Sequence, residues 1–190
     1  MICNMARWKP DAKGRIARAA LELYGKRGYD RTTVAEIAQR AGVTERTFFR
    51  HFADKREVLF GGSHALQDLM VGAVTRTPAS ASPMDAVGAA LQASAAVLND
   101  REFSRQRQAI VAASEELRER ELIKMATLTS AIADALRGRG VKEPTASLTA
   151  EAGIAVFRVA FARWVDPAGR KGIGELMRDS LDQLRVAIGA

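Results

Sequence analysis

The chain has 190 residues, 47% of them hydrophobic, and a net charge of +7 from 29 Lys and Arg against 22 Asp and Glu. That suits one or two small domains with a sizeable core. One cysteine, Cys3, excludes an internal disulfide and fits a reducing cytoplasm; the N-terminus lacks the apolar core of a signal peptide, and the most apolar stretch, Gly153 to Trp164, is too short and too interrupted by Arg158 and Arg163 to span a bilayer.

Residues 1–10 read either as an arm whose Arg7 and Lys9 reach a phosphate or a minor groove, or as a plain terminus with Met5 as the true start. Asp11 caps a first helix that runs to about Arg27, with Ile16, Ala19, Ala20, Leu23 and Tyr24 as its inner stripe. Gly25 to Gly28 ends it. No strand precedes these glycines and no Gly-Lys-Ser/Thr follows, so they read as a helix stop rather than a phosphate loop. Tyr29-Asp30 forms the next corner.

The informative stretch is Thr33 to Phe52, TVAEIAQRAGVTERTFFRHF. Thr33 and Glu36 have capping-box spacing and open a short helix. Val34, Ile37, Ala38 and Ala41 give it one apolar stripe. Gly42 stops it in a left-handed turn, Val43 plugs the turn, and Thr44 caps the next helix. At about 100° per residue, Phe48 and Phe52 share the inner face of that helix. Arg46 and Arg50 fall opposite, flanked by Thr47 and Phe49. Arginine forks onto guanine, and threonine and aromatic carbons against thymine methyls, are what a major-groove reader needs. The other reading is a solvated basic helix on any small α-protein, and the exposed Phe49 counts against it. Charge agrees: residues 1–60 hold 13 Lys and Arg against 7 Asp and Glu, whereas residues 61–190 hold 16 against 15.

The pieces ARAALELYGKRGYDRTTVAEIAQRAGV, TERTFFRHF and ADKREVL resemble the DNA-binding domain of the tetracycline-repressor-like (TetR) family of bacterial transcription regulators. Phe48-Phe49 stands where that family more often has Leu-Tyr, which keeps the inner apolar residue and drops a hydroxyl. The resemblance implies an all-α chain of about nine helices: a helix-turn-helix domain over residues 1–53, then a helical effector-binding and dimerisation domain over 54–190. It implies base reading by Arg46, Thr47, Phe49 and Arg50, with Thr33, Thr44, His51 and Lys55 on the phosphates.

Asp54 and Glu57 repeat the capping-box spacing and open a fourth helix, expected to run through Leu66, Leu69, Met70 and Val74. Gly61-Gly62 in its first third marks a soft joint, a stop and restart, or close packing by a neighbour. Thr77 to Ser82 is a linker, and Pro83 begins helix five after Ser82, with Met84, Val87 and Leu91 inward to about Leu98. Asn99-Asp100 precedes helix six, which holds Phe103 and Ile110. Helix seven, about Ser114 to Leu136, has Leu117, Leu122, Met125, Leu128, Ile132 and Leu136 as its stripe. Pro144 opens helix eight, apolar on most sides from Ile154 to Trp164, as a helix buried all round should be. Asp166-Pro167 ends it, and helix nine follows from about Ile173. No strand pattern appears.

His51 and His64 are the only histidines, too few for a zinc site without other ligands at the right spacing. Ser63, His64 and Asp68 point in different directions on one helix and make no triad. No catalytic constellation, metal site or cofactor is expected. The expected role is a ligand-responsive DNA-binding regulator, a repressor in most of the family, on a pseudo-palindromic double-stranded DNA operator. The alternative is an architectural or activating DNA binder without an effector. Helices eight and nine are expected to form a homodimer through Phe161, Trp164, Leu176, Leu181 and Leu184. The resemblance raises a mainly apolar effector pocket lined by Leu66, Leu69, Met70, Met84, Leu91, Phe103, Leu122 and Met125, with no buried charge in view. It also implies coupling to the DNA through helix four, so that alanine at both Gly61 and Gly62 is expected to reduce operator release.

Overall fold

A computed structural model describes residues 11–189; Cys3 and the arm bearing Arg7 and Lys9 lie outside them. All regular structure in the described residues is helical. The α-helices are α1 (Ala12–Arg27), α2 (Val34–Ala41), α3 (Glu45–His51), α4 (Ser63–Arg76), α5 (Pro83–Ser94), α6 (Arg101–Ala112), α7 (Glu115–Gly138), α8 (Thr145–Val165) and α9 (Ile173–Ala187), with a 3-10 turn at Glu57–Phe60.

Local chemistry sets most of these boundaries. Asp11, Thr33, Thr44, Ser82, Asp100 and Ser114 each accept a backbone N–H three residues on, satisfying a donor that the helix start leaves open. The fourth helix departs from expectation. Asp54 does cap, accepting from the N–H of Arg56 at 2.8 Å and of Glu57 at 3.0 Å. What it opens is only the 3-10 turn; Gly61-Gly62 follow, and α4 starts anew at Ser63. The helix therefore stops and restarts.

The two glycines differ. A Cβ built on Gly61 would lie 2.8 Å from Cε1 of Phe52, whereas one on Gly62 meets nothing. Close packing explains the first glycine and the helix break the second. Gly61→Ala should cost about 1–3 kcal/mol by overpacking, and Gly62→Ala should be near neutral in a urea titration. The double alanine variant is therefore a poor probe of the joint, because its first half disturbs Phe52.

Two apolar clusters form. The head cluster joins α1, α2, α3 and the 3-10 turn through Ile16, Tyr24, Ile37, Phe48, Phe52 and Phe60, and Ile110, Val111 and Leu117 enter it from α6 and α7. The body cluster packs α4, α5, α7, α8 and α9 around Met70, Val87, Leu91, Ile132, Phe157 and Met177. By length and composition α8 could cross a membrane. Ala146, Ala150, Ile154, Phe157, Ala160 and Trp164 instead bury one of its faces in the body.

That burial places part of the expected interface in the body core. Trp164, Leu176 and Leu181 are core residues of the body, and Phe161 and Leu184 pack against the same cluster. A helix apolar on most sides does not announce which side faces home. The outward stripe of α8 is Leu148, Ala152, Ala155, Val159 and Ala162, with Leu148 65% and Val159 54% exposed.

Candidate nucleic-acid interface

α2 and α3 are fixed before any side chain reaches outward. Thr33 and Glu36 close a capping box: Glu36 N–H donates to Thr33 Oγ1 at 3.2 Å, and Thr33 N–H donates to Glu36 Oε2 at 2.9 Å. The Thr33 N–H, its hydroxyl and Arg27 together hold the Glu36 carboxyl below the usual carboxylate range. Gly42 sits at φ 66°, ψ 41°, the left-handed region that glycine enters freely. Its N–H donates to Gln39 O, and that of Val43 to Ala38 O. Thr44 then accepts from Thr47 N–H at 3.1 Å, and the two hydroxyls lie 3.0 Å apart.

α3 divides as its spacing implies. Phe48 is fully buried and Phe52 nearly so, with Phe48 ring centroids 5.4 Å from Phe49 and 5.8 Å from Phe52. Phe49 is 54% exposed, Arg46 and Arg50 are exposed, and Thr47 is half-buried. The surrounding arginines are occupied. Arg18 pairs with Asp11, Arg27 with Glu36, Arg40 with Glu22 and Arg56 with Asp54, while Arg15 donates to Ala41 O and Arg31 to Arg27 O. Among the described residues of the head, Arg46 and Arg50 are the arginines with no such commitment.

Two expected phosphate contacts look different in place. His51 Nε2 is enclosed and has no protein partner, so that nitrogen cannot meet a phosphate unless the ring moves. Lys55 Nζ donates to Tyr29 O at 3.0 Å and Thr32 O at 3.1 Å, and lies 4.2 Å from the Tyr29 ring centroid. Its own carbonyl accepts from Tyr24 Oη at 2.7 Å. Lys55 thus fastens the corner that ends at the Thr33 cap. Thr33 and Thr44 are exposed, with hydroxyls already engaged in capping.

The head is tied to the body by polar links that no local pattern revealed. Tyr29 Oη donates to Glu116, and Arg56 pairs with the same carboxylate. Arg107 donates to Leu59 O at 2.7 Å, pairs with Glu121 and lies over the Phe60 ring. Glu57 accepts from Arg120 Nε at 2.6 Å and Lys124 Nζ at 3.1 Å. Burial pushes the Glu57 carboxyl up, but the two cations outweigh it and hold it below the usual carboxylate range. Its link to α7 is therefore present at neutral pH and is lost only as pH falls through that lowered value. Arg120 and Lys124 are four residues apart on one helix, which from sequence reads as a solvated face.

A cleft of about 230 Å³ opens between α4 and α7, lined by Ser63, His64, Leu66, Gln67, Arg120, Ile123, Lys124, Met125, Thr127 and Leu128. Of the expected pocket residues, only Leu66 and Met125 line it. Met70 and Leu91 are sealed in the body cluster, Met84 packs against it, and Phe103 packs against the head cluster. Leu69 is half-buried outside the cleft walls. Leu122 is 62% exposed, because five residues from Leu117 carry it off the inner stripe. The cleft also holds charge at its edge, where none was expected.

The fold thus defines an all-α protein with a helix-turn-helix head on a helical body. Residues 16–60 match the family model of bacterial regulatory proteins of the tetR family. An HTH-type transcriptional regulator from Streptomyces glaucescens, TcmR, is 40% identical over 81 residues, 43% of this chain and 36% of that protein. The chain spans about a third of the length of that relative. Among solved structures, a transcriptional regulator from Pseudomonas aeruginosa aligns with TM-score 0.62 at 18% identity, over 97% of this chain and 95% of that one. Thermus thermophilus FadR, a TetR-family repressor solved with lauroyl-CoA, aligns with TM-score 0.55 at 23% identity over 90% and 92%. Over residues 16–60 the chain is thus similar to the DNA-binding region of TetR-family transcriptional regulators.

Proposed function

We propose that the protein is a ligand-responsive transcriptional repressor that binds a pseudo-palindromic operator as a homodimer. One observation carries the DNA reading: on a head whose other described arginines are occupied, Arg46 and Arg50 stand uncommitted beside Thr47 and the exposed Phe49. These four read bases. Thr33, Thr44 and the remaining Lys55 N–H take phosphates, and His51 does so through its other ring nitrogen. The helix-turn-helix domain of residues 1–53, with Lys55 just beyond it, does the binding, and 54–190 the control and pairing.

The outward stripe of α8 supports the dimer. Leu148, Ala155 and Ala162 repeat every seven residues, and so do Ala152 and Val159. That is the spacing of a helix–helix seam, with small side chains that let backbones approach. A two-fold pair would set two α3 helices about one DNA turn, or a multiple, apart. The α4–α7 cleft is where an effector would act.

Selection of bound fragments from random DNA tests this reading. The expected product is an inverted repeat with half-sites at that spacing. Enrichment of no sequence, or of single half-sites alone, contradicts it. An added effector that weakens operator binding separates a regulator from an architectural binder.

A further inference from the structure

We infer that the α4–α7 cleft takes a small anionic amphiphile, a carboxylate on an apolar tail, whose charged end competes with Glu57 for Arg120 and Lys124. This deepens the effector reading above and rests on it.

The walls are sorted by polarity. Leu66, Ile123, Met125 and Leu128 supply an apolar side, while Ser63, His64, Gln67, Arg120, Lys124 and Thr127 supply a polar one. At about 230 Å³ the cleft is smaller than the roughly 300–1,000 Å³ of ordinary ligand pockets, which suits a small acid. Its charges are unbalanced. Arg120 and Lys124 share the single carboxylate of Glu57, and the neighbouring Glu121 is taken by Arg107. Lys124 and Glu57 side chains are only 14% and 17% exposed, so water screens them weakly.

The α4 side offers donors without an acceptor. Its cap, Gly62, has no side chain to receive the first N–H groups, and its first turn carries no acidic residue. Ser63 Oγ is enclosed and has no protein partner. A carboxylate is acceptor-only when ionised. Within the cleft it would meet the excess cation of Arg120 and Lys124 on the α7 side, with Ser63 and the α4 start lining the facing side.

Entry has a structural consequence. Glu57 begins the 3-10 turn, and the three residues after it, Val58, Leu59 and Phe60, are core of the head. An anion that draws Arg120 and Lys124 away releases that turn from α7 at one of its fastenings. The Arg107 links to Leu59 and Phe60 stay. The state favoured by the ligand thus holds the head less firmly against the body.

Calorimetric titration of the full chain with octanoate and with 1-octanol tests the site without DNA. Octanoate is expected to bind about tenfold or more tightly than octanol. Lys124→Met and Arg120→Gln should each weaken octanoate about tenfold and leave octanol unchanged, and Lys124→Arg should restore binding. Glu57→Gln should tighten octanoate severalfold, since it removes the competitor; a merely structural Glu57 would not do this. Equal affinity for acid and alcohol, no octanoate binding, or no tightening in Glu57→Gln would overturn the inference, while other effectors would remain open to the repressor reading. Octanoate binding with this pattern but with unchanged affinity for the selected DNA would uphold the site and overturn its link to the operator.

Discussion

Phe48→Ala should lower the stability of the head by about 3–5 kcal/mol, the usual range for a buried phenylalanine cut to alanine. Phe48 is fully buried and touches Phe49 and Phe52 with its ring. It joins α3 to Ile16, Tyr24 and Ile37 in one cluster, so the cavity would open where three helices meet. Phe49, next in sequence and 54% exposed, is the control. Phe49→Ala should change stability by no more than about 0.5 kcal/mol while weakening DNA binding. Urea titrations of the two variants make the comparison. Similar losses would mean that α3 is not divided into an inner and a reading face.

Trp164→Ala should also cost about 3–5 kcal/mol, and the loss should not depend on protein concentration. Trp164 is 4% exposed, packs beside Ile173, Leu176 and Met177, and carries the Arg101 guanidinium 5.8 Å from its ring centroid. Its partners are in its own chain. Val159→Arg on the outward stripe should do the opposite, leaving the α-helical circular dichroism unchanged and giving a monomer in sedimentation. If Trp164→Ala stayed as stable as wild type and merely sedimented as a monomer, the tryptophan would be an interface residue after all.

These contrasts show what the sequence made legible. Helix starts were readable because capping is chemistry between residues three apart, as at Thr33, Thr44, Ser82 and Ser114. The two faces of α3 were readable because that helix is short and mixed in polarity. On α8 the apolar residues run most of the way round, so their spacing has no phase and does not tell whether Trp164 faces the core or a partner. The expected pocket meets a related ambiguity. Met70 and Leu91 are apolar whether they close a core or line a cavity, and only packing decides. Glu57 lies 63 positions from Arg120 and 67 from Lys124, so no periodicity joins them. Gly61 and Gly62 are identical in sequence, and only the Phe52 ring distinguishes them.

The division of labour on the head is the central claim, and one measurement tests it most directly. The affinity of Arg46→Ala, Arg50→Ala and Lys55→Ala is to be measured against every single-base variant of the selected site at several salt concentrations. Each arginine variant should lose about 1–3 kcal/mol of discrimination at one base position in each half-site. Lys55→Ala should weaken all sites nearly equally and reduce the salt slope by about one. A uniform loss for the arginine variants, with the same profile and salt slope as Lys55→Ala, would contradict base reading by α3.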